Sequence, residues 1–119
     1  MRKVNEMQIK ECTAAQLAEE LGLETVVSAD PERRVCCGYA GDLLSWVMGR
    51  APVDCAWVTV MSNVNVVAVA TLADVGCIVL AEGAELDEAA AEKARVVGIN
   101  VYRTSMPIFE VCVKLANRG

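Results

Sequence analysis

Ser62-Asn63-Val64-Asn65 places a hydroxyl and two side-chain amides between the apolar run Trp57–Met61 and an Ala/Val-rich segment. These groups donate and accept hydrogen bonds without carrying charge, so the chemistry they suit is recognition of a polar ligand. If a strand precedes them and a helix follows, free backbone N–H groups and the positive end of the helix dipole converge at the same turn. Asn63 or Asn65 would also serve as an ordinary helix N-cap. One cap needs one residue, which leaves the rest of the group for a ligand. Three more junctions have the same form. At the first, Gly41 permits a tight turn before a helix, Asp42 serves as its cap or as a ligand group, and Tyr39 offers a ring for stacking. Glu82-Gly83 and Thr104-Ser105 each follow an apolar run, and read as a loop charge, a helix cap or ligand contacts. The candidate ligand-binding residues are therefore Ser62, Asn63, Asn65, Glu82, Gly83, Tyr39, Gly41, Asp42, Thr104 and Ser105.

Catalysis finds less support. The chain has no histidine, the usual general base near neutral pH, and no Gly-Lys-Ser or Gly-Lys-Thr of a phosphate-cradling loop. No catalytic residue, metal ligand or cofactor is assigned. Six cysteines, Cys12, Cys36, Cys37, Cys55, Cys77 and Cys112, form no C-x-x-C pair and fall mostly in apolar runs, which reads as reduced core thiols. The adjacent Cys36-Cys37 is the exception. Neighbours on a strand face opposite ways, so one of the two is expected to meet solvent.

The elements that must carry these residues alternate. Met7 to Cys12 reads as a strand, and Thr13 with Gln16 as a capping box for a helix to Leu21, closed by Gly22. Strands follow at Leu23–Ser28 and Val35–Tyr39. Asp42 then caps a helix whose inner face is Leu43, Leu44, Val47 and Met48 and whose stop is Gly49. Trp57–Met61 is a strand, Val64–Ala73 a helix and Cys77–Leu80 a strand, making a β-α-β unit. A helix over Glu85–Val97, facing inward through Ala89, Ala90, Ala94 and Val97, ends at Gly98. The strand Ile99–Tyr102 and a last helix from Thr104-Ser105-Met106-Pro107 to Asn117 complete the chain. This alternation implies right-handed crossovers and a three-layer α/β/α sandwich with a mostly parallel central sheet. The carboxyl ends of its parallel strands, where all four polar junctions fall, would then share one edge.

At 119 residues, the length suits a single domain spanning 1–119. Hydrophobic residues make up 55%, rich in Ala and Val, as a sheet buried on both faces requires. A net charge of −5 with scattered basic residues speaks against nucleic acid as a partner. Arg2 and Lys3 lead into Asn5, Glu6 and Gln8 rather than an apolar run, so no signal peptide is expected, and no apolar stretch is long enough for a membrane span. A cytoplasmic location is the expectation.

The succession of an apolar strand, a polar turn, an Ala/Val-rich helix, GCIVLAEG, an acidic helix and GINVYRTSMPIFEVCVKL resembles the DRTGG domain. ERRVCCGYAGDLLSWVMGRAP is similar to small stand-alone members of that family, so the resemblance covers nearly the whole chain. Such domains accompany phosphotransacetylases, cobyrinic-acid-synthase-like proteins and proteins with paired CBS domains. A related fold forms the N-terminal domain of the kinase acting on the phosphocarrier protein of bacterial sugar transport. The chain departs from the motif that names the family: Asn63-Val64 stands where Asp-Arg is usual, and Ala81-Glu82-Gly83 where Thr-Gly-Gly is usual. The resemblance implies a non-catalytic regulatory or ligand-sensing module for a small polar or anionic metabolite, a nucleotide among them. The alternative is an interaction protein without a small ligand, assembling as a homo-oligomer or on a partner enzyme or signalling protein. Its basis is the apolar surplus, Trp46 and Trp57 included.

Overall fold

A computed structural model describes residues 7–118; Arg2, Lys3, Asn5 and Glu6, on which the signal-peptide expectation rests, lie outside the described residues. The chain order is β1 (Met7–Thr13), α1 (Ala14–Leu21), β2 (Glu24–Val27), β3 (Arg34–Ala40), α2 (Leu44–Arg50), β4 (Cys55–Thr59), α3 (Val64–Ala73), β5 (Cys77–Leu80), α4 (Glu88–Val97), β6 (Val101–Arg103) and α5 (Ile108–Ala116). The strands form one sheet in the order β1-β3-β4-β5-β6-β2. The inner four are parallel, and β1 and β2 close the two edges antiparallel to β3 and β6. Helices α2, α3 and α4 cover one face and α1 and α5 the other, each layer with its own buried cluster. This is the three-layer α/β/α architecture expected.

The central strands are buried on both sides, which is why they read as unbroken apolar runs rather than alternating ones. Trp57, Ile78, Leu80 and Val101 face the α2-α3-α4 layer, while Ala56, Val58, Val79 and Tyr102 face α1 and α5. Helix α3 lies between α2 and α4 and buries Val66, Val67, Val69, Ala70 and Ala73. That flanking explains an Ala/Val helix with almost no polar face.

Local signals held where one residue settles the matter. Thr13 and Gln16 form the capping box, and Gly22 and Gly98 close their helices at φ 67° and 83°. Asn63 caps α3 by accepting the Asn65 N–H at 3.0 Å. Other expectations are corrected. Asp42 caps no helix: α2 starts after Leu43, whose side chain makes no capping bond, and runs past Gly49 to Arg50. Of its supposed inner face only Val47 is buried, with Leu43 and Met48 exposed, because this short helix packs chiefly against α3. Helix α4 begins at Glu88 and turns Ala90, Ala91 and Ala94 inward, leaving Ala89 exposed and Val97 half-buried. Strand β4 ends at Thr59 rather than Met61, and β6 covers Val101–Arg103. Cys36 and Cys37 are both buried, in the same cluster, since the Cys36 N–H turns to the Asp54 carbonyl at 3.1 Å.

Candidate functional site

Parallel pairing sets the carboxyl ends of β3, β4, β5 and β6 side by side, with Ala40 beside Val58, Thr59 beside Leu80 and Leu80 beside Arg103. The four loops that follow therefore share one edge, and hydrogen bonds stitch them together. Asp42 reaches across from the β3–α2 loop, accepting the Thr59 hydroxyl at 2.7 Å and the Val60 N–H at 3.0 Å. Beneath it, the fully buried Trp57 donates its indole N–H to the Gly41 carbonyl at 2.9 Å. The Asp87 N–H meets the Ser62 carbonyl at 3.0 Å, tying the β5–α4 loop to the β4–α3 loop. Glu82 and Gly83 donate their N–H groups to the Met106 and Thr104 carbonyls, each at 2.9 Å, and so join the β5 loop to the β6 loop.

All ten predicted residues thus lie along this edge or in the strand end beside it, but they do different work. Tyr39 is half-buried, its ring lying over Gly41 and against the α2–α3 core, so its aromatic face is largely spent on packing. A methyl group on Gly41 would sit 3.3 Å from that ring, which would have to give way by a few tenths of an ångström. Asp42 is a cross-loop brace. The Thr59 hydroxyl it holds is fully buried and so is placed for structure rather than attack on a substrate. Thr104 and Ser105 do not cap α5. That helix has Pro107 at its N-cap position, and the Glu82 carboxylate, 26 positions away, accepts the Ile108 N–H at 2.9 Å. Thr104 instead accepts the Met106 N–H at 3.2 Å within its own turn.

Glu82 stands at φ 60° and Gly83 at φ 74°, so two successive residues occupy the left-handed region. For a residue with a Cβ this costs roughly 1 kcal/mol or more. The turn keeps the shape that Thr-Gly-Gly would make easily, and the α5 cap offsets the strain. Beside the bracing stand Ser62 and Asn65 at the start of α3, and Ser105 in the β6 loop. The Ser62 hydroxyl and the Asn65 amide make no hydrogen bond to any described residue, and both lie at the mouth of α3.

Arg103, not anticipated from the sequence, is a further part of the edge. Its guanidinium donates to the Ala84 and Gly83 carbonyls at 3.1 and 3.0 Å and pairs with Glu24 at 2.7 Å. It locks the β5–α4 loop from the β6 side. A polar hollow of about 270 Å³ opens beside it, lined by Gly22, Glu24, Arg103, Thr104 and Ser105. A second hollow, of about 300 Å³, lies between β1, β3 and α5 and is lined by Met7, Ile9, Val58 and Cys112 among others. It is almost wholly apolar and lacks the convergent polar groups that orient a polar ligand.

The chain matches no family model and no curated protein sequence. It is similar in structure to the CBS and DRTGG domains of the regulatory region of Clostridium perfringens pyrophosphatase, a crystal structure complexed with the activator diadenosine tetraphosphate. The TM-score is 0.73 at 10% sequence identity, over 87% of this chain and 46% of that one, so this chain spans under half of that structure. At such identity the likeness is one of architecture. Four parallel strands with antiparallel edges, helices on both faces and this superposition together give the chain a DRTGG-like fold.

Proposed function

We propose that this chain is a non-catalytic regulatory module that senses a small polar metabolite, with nucleotides the leading class, at the carboxyl edge of its sheet. The observation that carries the reading is a pair of polar side chains without a hydrogen bond to any described residue, Ser62 and Asn65, beside the N-terminus of α3 on an edge where four loops converge. Asn63 holds the helix start in shape, and Gly83 turns the neighbouring loop at φ 74°. Thr104 and Ser105 extend the polar surface toward β6. From β3 to β6 the edge spans three strand spacings, about 14 Å. That length suits an extended ligand such as a nucleotide better than a small acid. The structural neighbour's regulatory region takes a nucleotide activator, which supports the same class here. A reducing, cytoplasmic setting fits the chemistry of a chain with six thiols, five of them buried.

A thermal-shift series on the reduced protein tests this, with nucleotides, nucleosides and acyl phosphates as probes. A ligand at about one hundred times its Kd adds about 2.7 kcal/mol to stability by binding the folded state alone. Asn65→Ala and Ser62→Ala should abolish the shift while leaving the unliganded midpoint nearly unchanged. A shift that survives both substitutions rules out this site.

The second reading is self-association or docking on a partner protein. Leu43 just before α2, and Trp46 and Met48 on it, are each about half exposed, at 55, 52 and 47%, as is Val53 after it at 55%. Arg50 stacks on Trp46 at 4.0 Å and covers part of it. Light scattering showing a strict monomer across working concentrations would exclude the homodimer.

A further inference from the structure

Arg103, at the end of β6, sets a cation at the carboxyl edge, where an anionic ligand group would meet it. Arg33 and Arg34 lie at the opposite edge, engaged with Asp54, Asp74 and Glu11. Arg50 and Arg95 occupy the last turns of α2 and α4, which connect parallel strands and so run back to that opposite edge. Arg103 is 26% exposed at its side chain. Of the five N–H bonds a guanidinium carries, three are used, toward Ala84, Gly83 and Glu24, and one on each terminal nitrogen remains. Glu85 stands 3.9 Å away, beyond hydrogen-bonding distance.

We infer that the hollow formed by Arg103, Thr104 and Ser105 is a phosphate-class anion subsite, for which Glu24 is the built-in competitor. The inference rests on the ligand-sensing reading above and assigns the charged part of the ligand. Two carbonyl contacts fix the guanidinium plane, so its outer N–H groups are already oriented for a tetrahedral oxyanion. Ser105 is exposed and its hydroxyl carries no bond to a described residue; the Thr104 hydroxyl accepts from Met106 and keeps its proton to donate. Among the described residues the Glu24 carboxylate is held through Arg103 alone, and its side chain is 62% exposed, so it leaves into water easily. An arriving anion takes its place on Nη1. Because the same guanidinium grips Gly83 and Ala84, occupancy of the subsite bears directly on the β5–α4 loop, the means by which a regulatory signal would leave the site.

The test is a titration with inorganic pyrophosphate followed by amide NMR shifts, on the whole chain and on Glu24→Gln, Ser105→Ala and Arg103→Gln. Pyrophosphate should bind weakly to the parent and about tenfold more tightly to Glu24→Gln, where a competing charge is gone. Ser105→Ala should weaken binding several-fold and Arg103→Gln should abolish it. The shifts should cluster at Gly22, Gly83 and Ala84. Arg103→Gln also loosens the loop, so Glu24→Gln and Ser105→Ala, which leave the carbonyl contacts in place, decide the matter. Binding indifferent to both overturns the subsite, as does no binding to any variant. In either case a shift by adenosine that Asn65→Ala removes would leave the ligand-sensing reading standing, whereas no response to adenosine or adenosine triphosphate would remove both.

Discussion

Glu82 holds two opposed roles in one residue. Its backbone occupies the left-handed region, which disfavours any side chain, while its carboxylate supplies the cap α5 lacks locally. Glu82→Ala keeps the strain and loses the cap, so urea unfolding should show a loss of about 1–2 kcal/mol. Glu82→Gly loses both and should fall within about 0.5 kcal/mol of the parent. Equal effects for the two would mean that the strain is negligible. Gly76 is set by space instead. A methyl there would lie 2.8 Å from the Arg34 carbonyl oxygen and 2.9 Å from a Val35 methyl. Backbone cannot yield as a flexible side chain can, so Gly76→Ala should cost about 1–3 kcal/mol, read from the same unfolding curves.

Among the elements, α3 shows how a cap and a candidate ligand group separate. Asn63→Ala removes the bond to the Asn65 N–H and should cost about 1 kcal/mol, whereas Asn65→Ala should be neutral or slightly stabilising, since Ala is the better helix former. That asymmetry makes Asn65, not Asn63, the clean probe of binding. At the opposite edge, the buried Asn100 donates to the Asp30 carbonyl at 2.7 Å and accepts the Asp30 N–H at 2.8 Å. It fastens the β2–β3 connection to the start of β6. Asn100→Ala leaves both partners to find water, and a loss of about 2–3 kcal/mol in unfolding free energy is expected. Hydrogen exchange should quicken first around Asp30 if the loop opens locally.

For the molecule as a whole, the buried thiols and Tyr102 make stability fall in alkali. Burial pushes the Cys77 thiol, and also those of Cys12 and Cys112, above the ordinary 9.0, and pushes Tyr102 from 10.0 up to about 12. Each folded-state value lies above its unfolded one, so the unfolded chain gives up its protons first. The stabilisation is therefore complete below about pH 9 and is lost as pH rises toward 12. Urea midpoints measured on the reduced protein between pH 7 and about pH 12 should be flat, then decline. Tyr102→Phe should remove the part of the decline above pH 10, on the order of 2 kcal/mol by pH 12. A curve identical to the parent's would show that the phenol titrates normally.

The capping box at Thr13, the Asn63 cap, the glycine stops at Gly22 and Gly98, and the double-buried strands were legible because each depends on residues within a turn of one another. So was the three-layer class, since strand-helix alternation in a chain this apolar leaves few other packings. The four polar junctions could be named, and their common edge follows from parallel strands. What each residue does there could not be read. Asp42 and Glu82 were assigned by neighbours in sequence, but their partners, Thr59 and Ile108, stand 17 and 26 positions away. Arg103 gave no local signal, because its role comes from Glu24, 79 positions distant, brought alongside when β2 crosses to the far edge and pairs with β6. Local hydrogen bonding and hydrophobic pattern are properties of short stretches and were settled by the sequence itself; strand order decides which distant charges meet, and only the tertiary structure decided that.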